Sequence, residues 1–141
     1  MNKKILKLLM TEGKMTHNEM AQRLHRSPST IRDRISRLER ENIIMGYVTL
    51  VDYGRIGMGV DAIIFANLDD DASVNELHHL SEIPGVLEVL QISGHRRIMI
   101  RLRASDGNSL QEIIEHELIP LGLKDLDLRL VLDSVMRFPG L

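Results

Sequence analysis

The spacing of hydrophobic residues changes near Asn42, and this change limits the folds open to the chain. Before it, apolar residues recur every three or four positions, which places them on one side of a helix. After it, apolar and polar residues alternate, which is typical of strands with one buried face. The chain of 141 residues has room for one ordinary domain or two very small ones. The change therefore predicts a helical N-terminal domain followed by an α+β domain.

The first part of the chain carries the signals of two helices. Ile5 and Leu8 belong to a short amphipathic helix that ends near Gly13, because glycine favours the end of a helix. Thr16 and Glu19 have the spacing of a capping box, in which each side chain binds the other residue's backbone N–H. A second helix is therefore predicted to begin at Thr16.

A third helix is predicted from Ser27, a preferred N-cap residue, and from Pro28 at the first helical position. Ile31, Ile35 and Leu38 then form one apolar stripe. Only about three residues separate the second and third helices, which is the length of a helix-turn-helix connection. In that motif the last helix lies in the major groove of DNA.

Charge is divided unevenly between the two parts of the chain. The net charge of −2 combines +5 over residues 1–45 with −7 over residues 46–141. A basic N-terminal domain on an acidic remainder indicates that the N-terminal domain meets a polyanion and that the rest has another task.

The residues predicted to contact double-stranded DNA lie in the second and third helices and their caps. They are Thr16, Ser27, Ser29, Thr30, Arg32, Asp33, Arg34, Arg37 and Arg40. Those from Ser29 to Arg32 are placed to contact base edges or nearby phosphates, and the later arginines to contact phosphates. In the alternative interpretation, the arginines form a solvated face paired with neighbouring acids.

Asp33 is unexpected on a face that meets a polyanion. Its carboxylate either accepts a hydrogen bond from a cytosine amino group or holds Arg37 one turn further along the helix. We favour the second interpretation.

The remaining residues predict a β-rich connector over 46–59, which overlaps a β-prone run at 43–52, and a domain over 60–141. The predicted strands of that domain are 60–68, 86–93, 98–103 and 126–132, with helices near Leu77 and over 110–118. The order β-α-β-β-α-β is the ferredoxin-like layout. Its helices cover one face of the sheet, so we expect a second copy of the chain to cover the other.

Several classes of protein are excluded or disfavoured. The absence of cysteine excludes disulfides, thiolate metal sites and cysteine nucleophiles, and it fits the reducing cytoplasm. Near the N-terminus no apolar run is long enough to cross a membrane, and no signal peptide is recognised. No cofactor or metal site is predicted, because the six histidines lack metal-binding spacing. The acids at 69–71 are better explained as residues at the start of a helix, where one of them or Ser73 acts as the cap.

Motifs along the whole chain resemble those of the Lrp/AsnC, or feast/famine, family of prokaryotic transcription regulators. They are Ser27-Pro28-Ser29-Thr30-Ile31, Arg34-Ile35, Arg37-Leu38-Glu39, Ile44-x-Gly46-Tyr47, residues 83–89 and Ser93-Gly94. The resemblance implies a winged helix-turn-helix joined to a ferredoxin-like, RAM-type domain. It also implies a sequence-specific regulator, not an enzyme, that forms dimers and frequently octamers and binds promoter DNA. An amino acid or similar metabolite held between dimers is expected to modulate it.

Two segments depart from the family's pattern. The turn before Ser27 usually begins with glycine, whereas this chain has His25, which is less comfortable at a positive φ. The effector loop commonly has an acid after its glycine and another two positions later, and here these are His95 and Arg97.

The residues of this effector loop are Ser93, Gly94, His95, Arg96 and Arg97. A cationic loop does not suit an α-amino group. The effector is then anionic and held through carboxylates, or there is no effector and the loop is a solvated turn or a basic edge paired with a neighbouring subunit.

Two other functions remain as alternatives. Siroheme decarboxylases resemble this family, and in such an enzyme residues 95–97 would hold a polycarboxylate while His116 donates protons. A metal sensor is the weaker alternative, because His78 and His79 point to different faces of their predicted helix.

Overall fold

Residues 1–134 are described in the computed structural model of this chain, where they form two units, 1–50 and 51–134. The first unit consists of α1 (Asn2–Thr11), α2 (His17–Leu24) and α3 (Pro28–Arg40), as predicted. Their apolar sides meet in one core, whose buried residues are Ile5, Met20, Ala21, Ile31, Ile35 and Leu38.

The predicted caps hold the helices in place. The hydroxyl of Thr16 accepts the backbone N–H of Glu19, and the Glu19 carboxylate accepts that of Thr16 at 2.7 Å. This second bond lowers the pKa of the Glu19 carboxyl, because it stabilises the charged form. Ser27 caps α3 by accepting the backbone N–H of Thr30 at 3.2 Å. Between these helices His25 has a φ of 51°, so the strain expected from a non-glycine residue in this turn is present.

The second unit is a four-stranded antiparallel sheet with helical segments. In chain order it contains a 3₁₀ turn (Tyr53–Ile56), β1 (Val60–Leu68), a 3₁₀ helix (Val74–Glu82), β2 (Val86–Gln91), β3 (Ile98–Ala104), α4 (Gly107–Ile113), a π turn (Ile114–Leu118) and β4 (Leu123–Leu130). The strand order is β2-β3-β1-β4, and the predicted ferredoxin-like layout is confirmed.

Alternation along β1 and β3 builds the core of this unit. Ala62, Ile64 and Ala66 of β1 share a face with their β3 partners, and all six residues are buried. The partners are Leu102, Ile100 and Ile98. Leu80 of the 3₁₀ helix and Leu118 of the π turn are fully buried against this face.

The segment between β1 and β2 is a 3₁₀ helix and not the ordinary α-helix that the sequence suggested. Its buried residues Leu77, Leu80 and Ile83 recur every three positions. That spacing places them on one line of a helix with three residues per turn. Ser73 provides its cap by accepting the backbone N–H of Asn75 at 3.2 Å.

The prediction of β-structure over 43–52 is wrong, because no strand forms there. Met45, Val48 and Leu50 have the β-prone composition, yet they are 81%, 61% and 62% exposed. β-propensity expresses how well a side chain packs on a half-buried sheet. These three residues belong to the first unit, whose described residues form no strand on which they could pack.

The alternating leucines of β4 are less buried than predicted. Leu128 and Leu130 pair with Ile64 and Ala62 and so share the core face, but they are 43% and 54% exposed. β4 is an edge strand, and on the core face the helical segments pack over β2 and β3, towards the opposite edge of the sheet. The predicted end of this strand, at 131–132, lies beyond its last residue, Leu130.

Gly85 lies directly before β2, where the backbone needs a glycine. Its φ is +92°, and an added Cβ would lie 2.2 Å from the carbonyl oxygen of Arg103. We expect Gly85→Ala to lower the free energy of unfolding by at least about 2 kcal/mol, since strain and overlap add. Urea unfolding followed by circular dichroism measures this. Gly107→Ala is the matched control, because nothing lies within 4 Å of its Cβ position. An equal loss in both variants would contradict the explanation.

Candidate nucleic-acid interface

The side of α3 opposite its buried stripe forms an exposed polar ridge. Burial of Ile31, Ile35 and Leu38 in the helical core fixes this orientation. The ridge residues, which all are exposed, are Ser29, Asp33, Ser36 and Arg40. This arrangement leaves one complete side of the helix free for a groove of DNA.

The arginines predicted to bind DNA are not equivalent. Arg34 donates to the side-chain oxygen of Asn2 in α1 at 3.1 Å. The Nε of Arg37 lies 2.7 Å from a carboxylate oxygen of Glu41, and this bond raises the pKa of the Arg37 guanidinium. Within residues 1–134, Arg32 and Arg40 have neither an ion pair nor a hydrogen bond from their side chains. In this part of the chain, Arg32 and Arg40 are therefore the arginines of α3 whose guanidinium groups are wholly free of a partner.

The interpretation that Asp33 holds Arg37 is wrong. Glu41 lies at the C-cap of α3, and its longer side chain reaches back one turn to Arg37. Asp33 is exposed, and its side chain has no hydrogen-bond or ion-pair partner in the part of the chain that the structure describes.

Hydroxyl groups at the helix starts are already engaged. Besides their backbone bonds, the Thr16 hydroxyl lies 2.8 Å from the Glu19 carboxylate, and the Ser27 hydroxyl lies 3.0 Å from that of Ser29 and 2.8 Å from that of Thr30. Thr16 and Ser27 thus shape the helix starts. Ser29, which is exposed at the first turn of α3, is the best placed of these hydroxyls to meet a ligand.

An open groove beside the start of α3 was not identified from the sequence. Asn18 and Gln22 line it from α2, His25 and Arg26 line it from the turn, and Pro28 lines it from α3. The signal was present in part, because Asn18 and Gln22 are four positions apart and so share one side of α2.

The loop between β2 and β3 is anchored to the sheet by one of its basic residues. Arg96 donates through Nε to the backbone oxygen of Asp125 at 2.6 Å and lies 3.7 Å from the Asp127 carboxylate. The backbone N–H of Arg97 donates to Asn67 at 3.3 Å. Arg96 therefore holds the loop against the start of β4. The exposed side chains of His95 and Arg97 have no partner within residues 1–134.

The other two members of the loop add little polar chemistry. Ser93 is exposed, and Gly94 provides the positive φ of 111° at the turn. In the helical region that follows β3, Nδ1 of His116 lies 3.2 Å from the backbone oxygen of Glu112.

The sheet face opposite the core, here called the open sheet face, carries Asp61, Ile63 and Phe65 of β1 and Met99, Arg101 and Arg103 of β3. Asp61 accepts hydrogen bonds from both arginines, at 2.8 Å from Arg101 and 2.9 Å from Arg103. The bond to Asp61 raises the pKa of Arg101. The guanidinium of Arg103 also stacks 4.4 Å from the centre of the Tyr53 ring. This face combines apolar side chains with paired charges.

The acids at 69–71 are near a cation of the protein itself. The ammonium group of Lys124 lies 3.3 Å from Asp69 and 3.8 Å from Asp70. Within residues 1–134, no three His, Asp or Glu side chains come together as a metal site would require. In the same part of the chain, no helix combines the length and apolar character needed to cross a membrane.

Known sequences match both parts of the chain. Residues 2–45 match the model of a winged helix-turn-helix DNA-binding domain, and residues 61–141 match that of the Lrp/AsnC ligand binding domain. A relative, the HTH-type transcriptional regulator LrpA1 of Halobacterium salinarum, is 26% identical over 118 residues, which cover 84% of this chain and 83% of the relative.

Solved structures share the fold. A transcriptional regulator of Neisseria meningitidis, solved as a complex with L-Met, has a TM-score of 0.87 at 22% identity and covers 99% of this chain and 93% of its own. AsnC of E. coli has a TM-score of 0.82 at 23% identity, with 96% of this chain and 93% of its own covered. From the domain matches, the chain belongs to the Lrp/AsnC family of DNA-binding transcriptional regulators.

Proposed function

We propose that this regulator binds double-stranded promoter DNA by placing α3 in the major groove. The exposed ridge of α3 carries the proposal, because it joins small polar side chains to Arg40, which no other side chain holds within residues 1–134. Arg32 lies beside the ridge, and no other side chain holds it within residues 1–134 either. Ser29 and Arg32 are then close to base edges, and Arg40 meets a phosphate further along the groove.

The contacts of the other arginines define their parts in this complex. Arg34 stabilises the orientation of α3 through Asn2. The Nε of Arg37 is bound to Glu41, whose negative charge offsets the positive charge that Arg37 presents to a phosphate, so Arg37 contributes less to phosphate binding. Thr16, Ser27 and Thr30 act through the helix starts that they shape.

Arg40→Ala tests the phosphate contact. Each neutralised phosphate releases counterions, so we expect the slope of log affinity against log salt concentration to become shallower by about one. Fluorescence anisotropy with a labelled duplex at several salt concentrations measures the slope. Arg55→Ala is the matched control and should leave the slope unchanged, because Arg55 lies in the 3₁₀ turn of the second unit and not in α3. A slope that becomes shallower for Arg55→Ala and not for Arg40→Ala would contradict the proposed orientation of α3.

We also propose that two copies of the chain associate through the open sheet face. The helical segments pack on the opposite face of the sheet, which leaves Ile63 and Phe65 only half-buried. Asp61 accepts hydrogen bonds from Arg101 and Arg103, and Glu88 lies opposite Arg101 on β2, so two carboxylates accompany these two guanidinium groups when a second copy covers them. A helix-turn-helix dimer then reads two similar half-sites about one helical turn apart, or a multiple of that.

Ile63→Arg tests this association. Ile63 lies between Arg101 and Arg129 on neighbouring strands, so a third cation there repels a second copy. We expect multi-angle light scattering to show a smaller assembly than the wild type at the same concentration. Ile119→Arg is the control, since Ile119 is 49% exposed and follows the π turn. Loss of the assembly in the control alone would place the interface elsewhere.

We propose further that a small molecule bound by the second unit modulates DNA binding. A solved structure of the same fold is a complex with L-Met. In this chain the exposed side chains of the loop are those of His95 and Arg97, so a carboxylate-rich molecule fits them better than an α-amino group does. Ser93 and Gly94 supply the turn, and Arg96 anchors it.

Thermal unfolding compares the two classes of effector. We expect succinate to raise the Tm in a concentration-dependent way, because a ligand that binds the folded state stabilises it, and L-methionine to raise it less. Arg97→Ala should remove the response to succinate. Arg55→Ala, which changes another exposed arginine of this unit, should retain it. A response to L-methionine alone, unchanged in Arg97→Ala, would contradict the anionic effector.

A further inference from the structure

Asp33 is a carboxylate in the middle of the surface that faces DNA. It lies one turn after Ser29 on the exposed ridge of α3, on the side away from the buried stripe. The arginine one turn later, Arg37, is bound to Glu41 at 2.7 Å. Asp33 thus has no intrahelical partner, and its role in folding the helix does not explain its presence there.

An unpaired carboxylate at this position opposes binding to any duplex, because phosphates repel it. Only a hydrogen-bond donor on a base edge offsets this repulsion. In the major groove the donors are the N4 amino group of cytosine and the N6 amino group of adenine, whereas guanine and thymine present acceptors.

The chemistry of the two donors favours cytosine. Adenine carries the N7 acceptor beside its amino group, and that atom faces the second oxygen of a carboxylate. Cytosine has no acceptor of its own on this edge. A carboxylate, which only accepts hydrogen bonds, therefore fits the cytosine edge with less repulsion.

The neighbours of Asp33 allow the close approach that a short side chain needs. Ser29 lies four positions before it and Ser36 three positions after it, and both are small and exposed. Residues at these spacings are the nearest on a helix surface. Asp33 therefore has a small ridge residue on either side, and Arg37, which lies four positions after it, is held by Glu41, so a base edge can approach the Asp33 carboxylate.

We infer that Asp33 is a specificity-determining residue that reads the amino group of a cytosine in each half-site. The inference rests on the proposed binding of α3 in the major groove. The effect of Asp33 on affinity for DNA in general is then opposite to that of the arginines. Asp33 weakens binding to duplexes in general and strengthens binding to those with cytosine at one position.

Selection from a random duplex library, followed by sequencing, tests this without knowledge of the operator. Wild-type protein is compared with Asp33→Asn and Asp33→Ala, and Asp71→Asn is the matched control that removes one negative charge from the second unit. An asparagine amide pairs with both N6 and N7 of adenine. We expect Asp33→Asn to change the preferred base at one position per half-site from cytosine to adenine, by roughly tenfold in relative affinity.

Two further results are expected from the same proteins. Asp33→Ala should lose the preference at that position and bind unrelated duplexes more tightly than the wild type, because a negative charge has gone. Asp71→Asn should retain the wild-type motif. Circular dichroism confirms that the variants are folded, since Asp33 is exposed and holds no partner.

The outcomes separate the inference from the proposed function. A wild-type motif that is unchanged in both Asp33 variants overturns the inference and leaves DNA binding intact. Wild-type protein that enriches no motif and binds no duplex at low salt overturns the proposed function and the inference with it.

Discussion

The packing of one side of α3 determines what the N-terminal unit presents to its surroundings. Ile31 and Leu38 are almost fully buried against α1 and α2, and burying such a side chain contributes roughly 1.5–3 kcal/mol. Because a helix cannot rotate without exposing this stripe, the opposite ridge is fixed as the outer surface. The capping interactions at Thr16 and Ser27 set where the helices start and so complete the orientation.

The basic side chains of the N-terminal unit differ in what they contact. The N-terminal 45 residues have a net charge of +5, yet individual arginines hold the fold, pair with a neighbouring acid or remain available. Arg34, Arg37 and Arg40 illustrate these three conditions on one helix. The second unit repeats the principle, since Arg96 anchors a loop while Arg97 beside it is exposed. Basic composition alone therefore overstates the number of groups that are free to bind an anion.

Local signals in the sequence predicted the three helices of the first unit, their caps at Thr16 and Ser27, and the sequence of strands along the chain, because caps and periodicity depend on residues close in the chain. Contacts between distant residues could not be predicted in this way, as for Arg96 and Asp125, which lie 29 positions apart. Exposure of Leu128 depends on which strand lies at the edge of the sheet. Asp33 and Glu41 are both four positions from Arg37, so spacing alone does not decide which acid pairs with it. Arg37 pairs with Glu41 because of the geometry at the end of α3.

Methylation protection of a duplex recovered by selection tests the central claim most directly, because dimethyl sulfate attacks guanine N7 in the major groove and adenine N3 in the minor groove. If α3 lies in the major groove of two half-sites, bound protein will protect guanine N7 in two patches whose centres are about one helical turn apart, or a multiple of that. Protection confined to adenine N3, with every guanine N7 still reactive in the complex, would contradict the account.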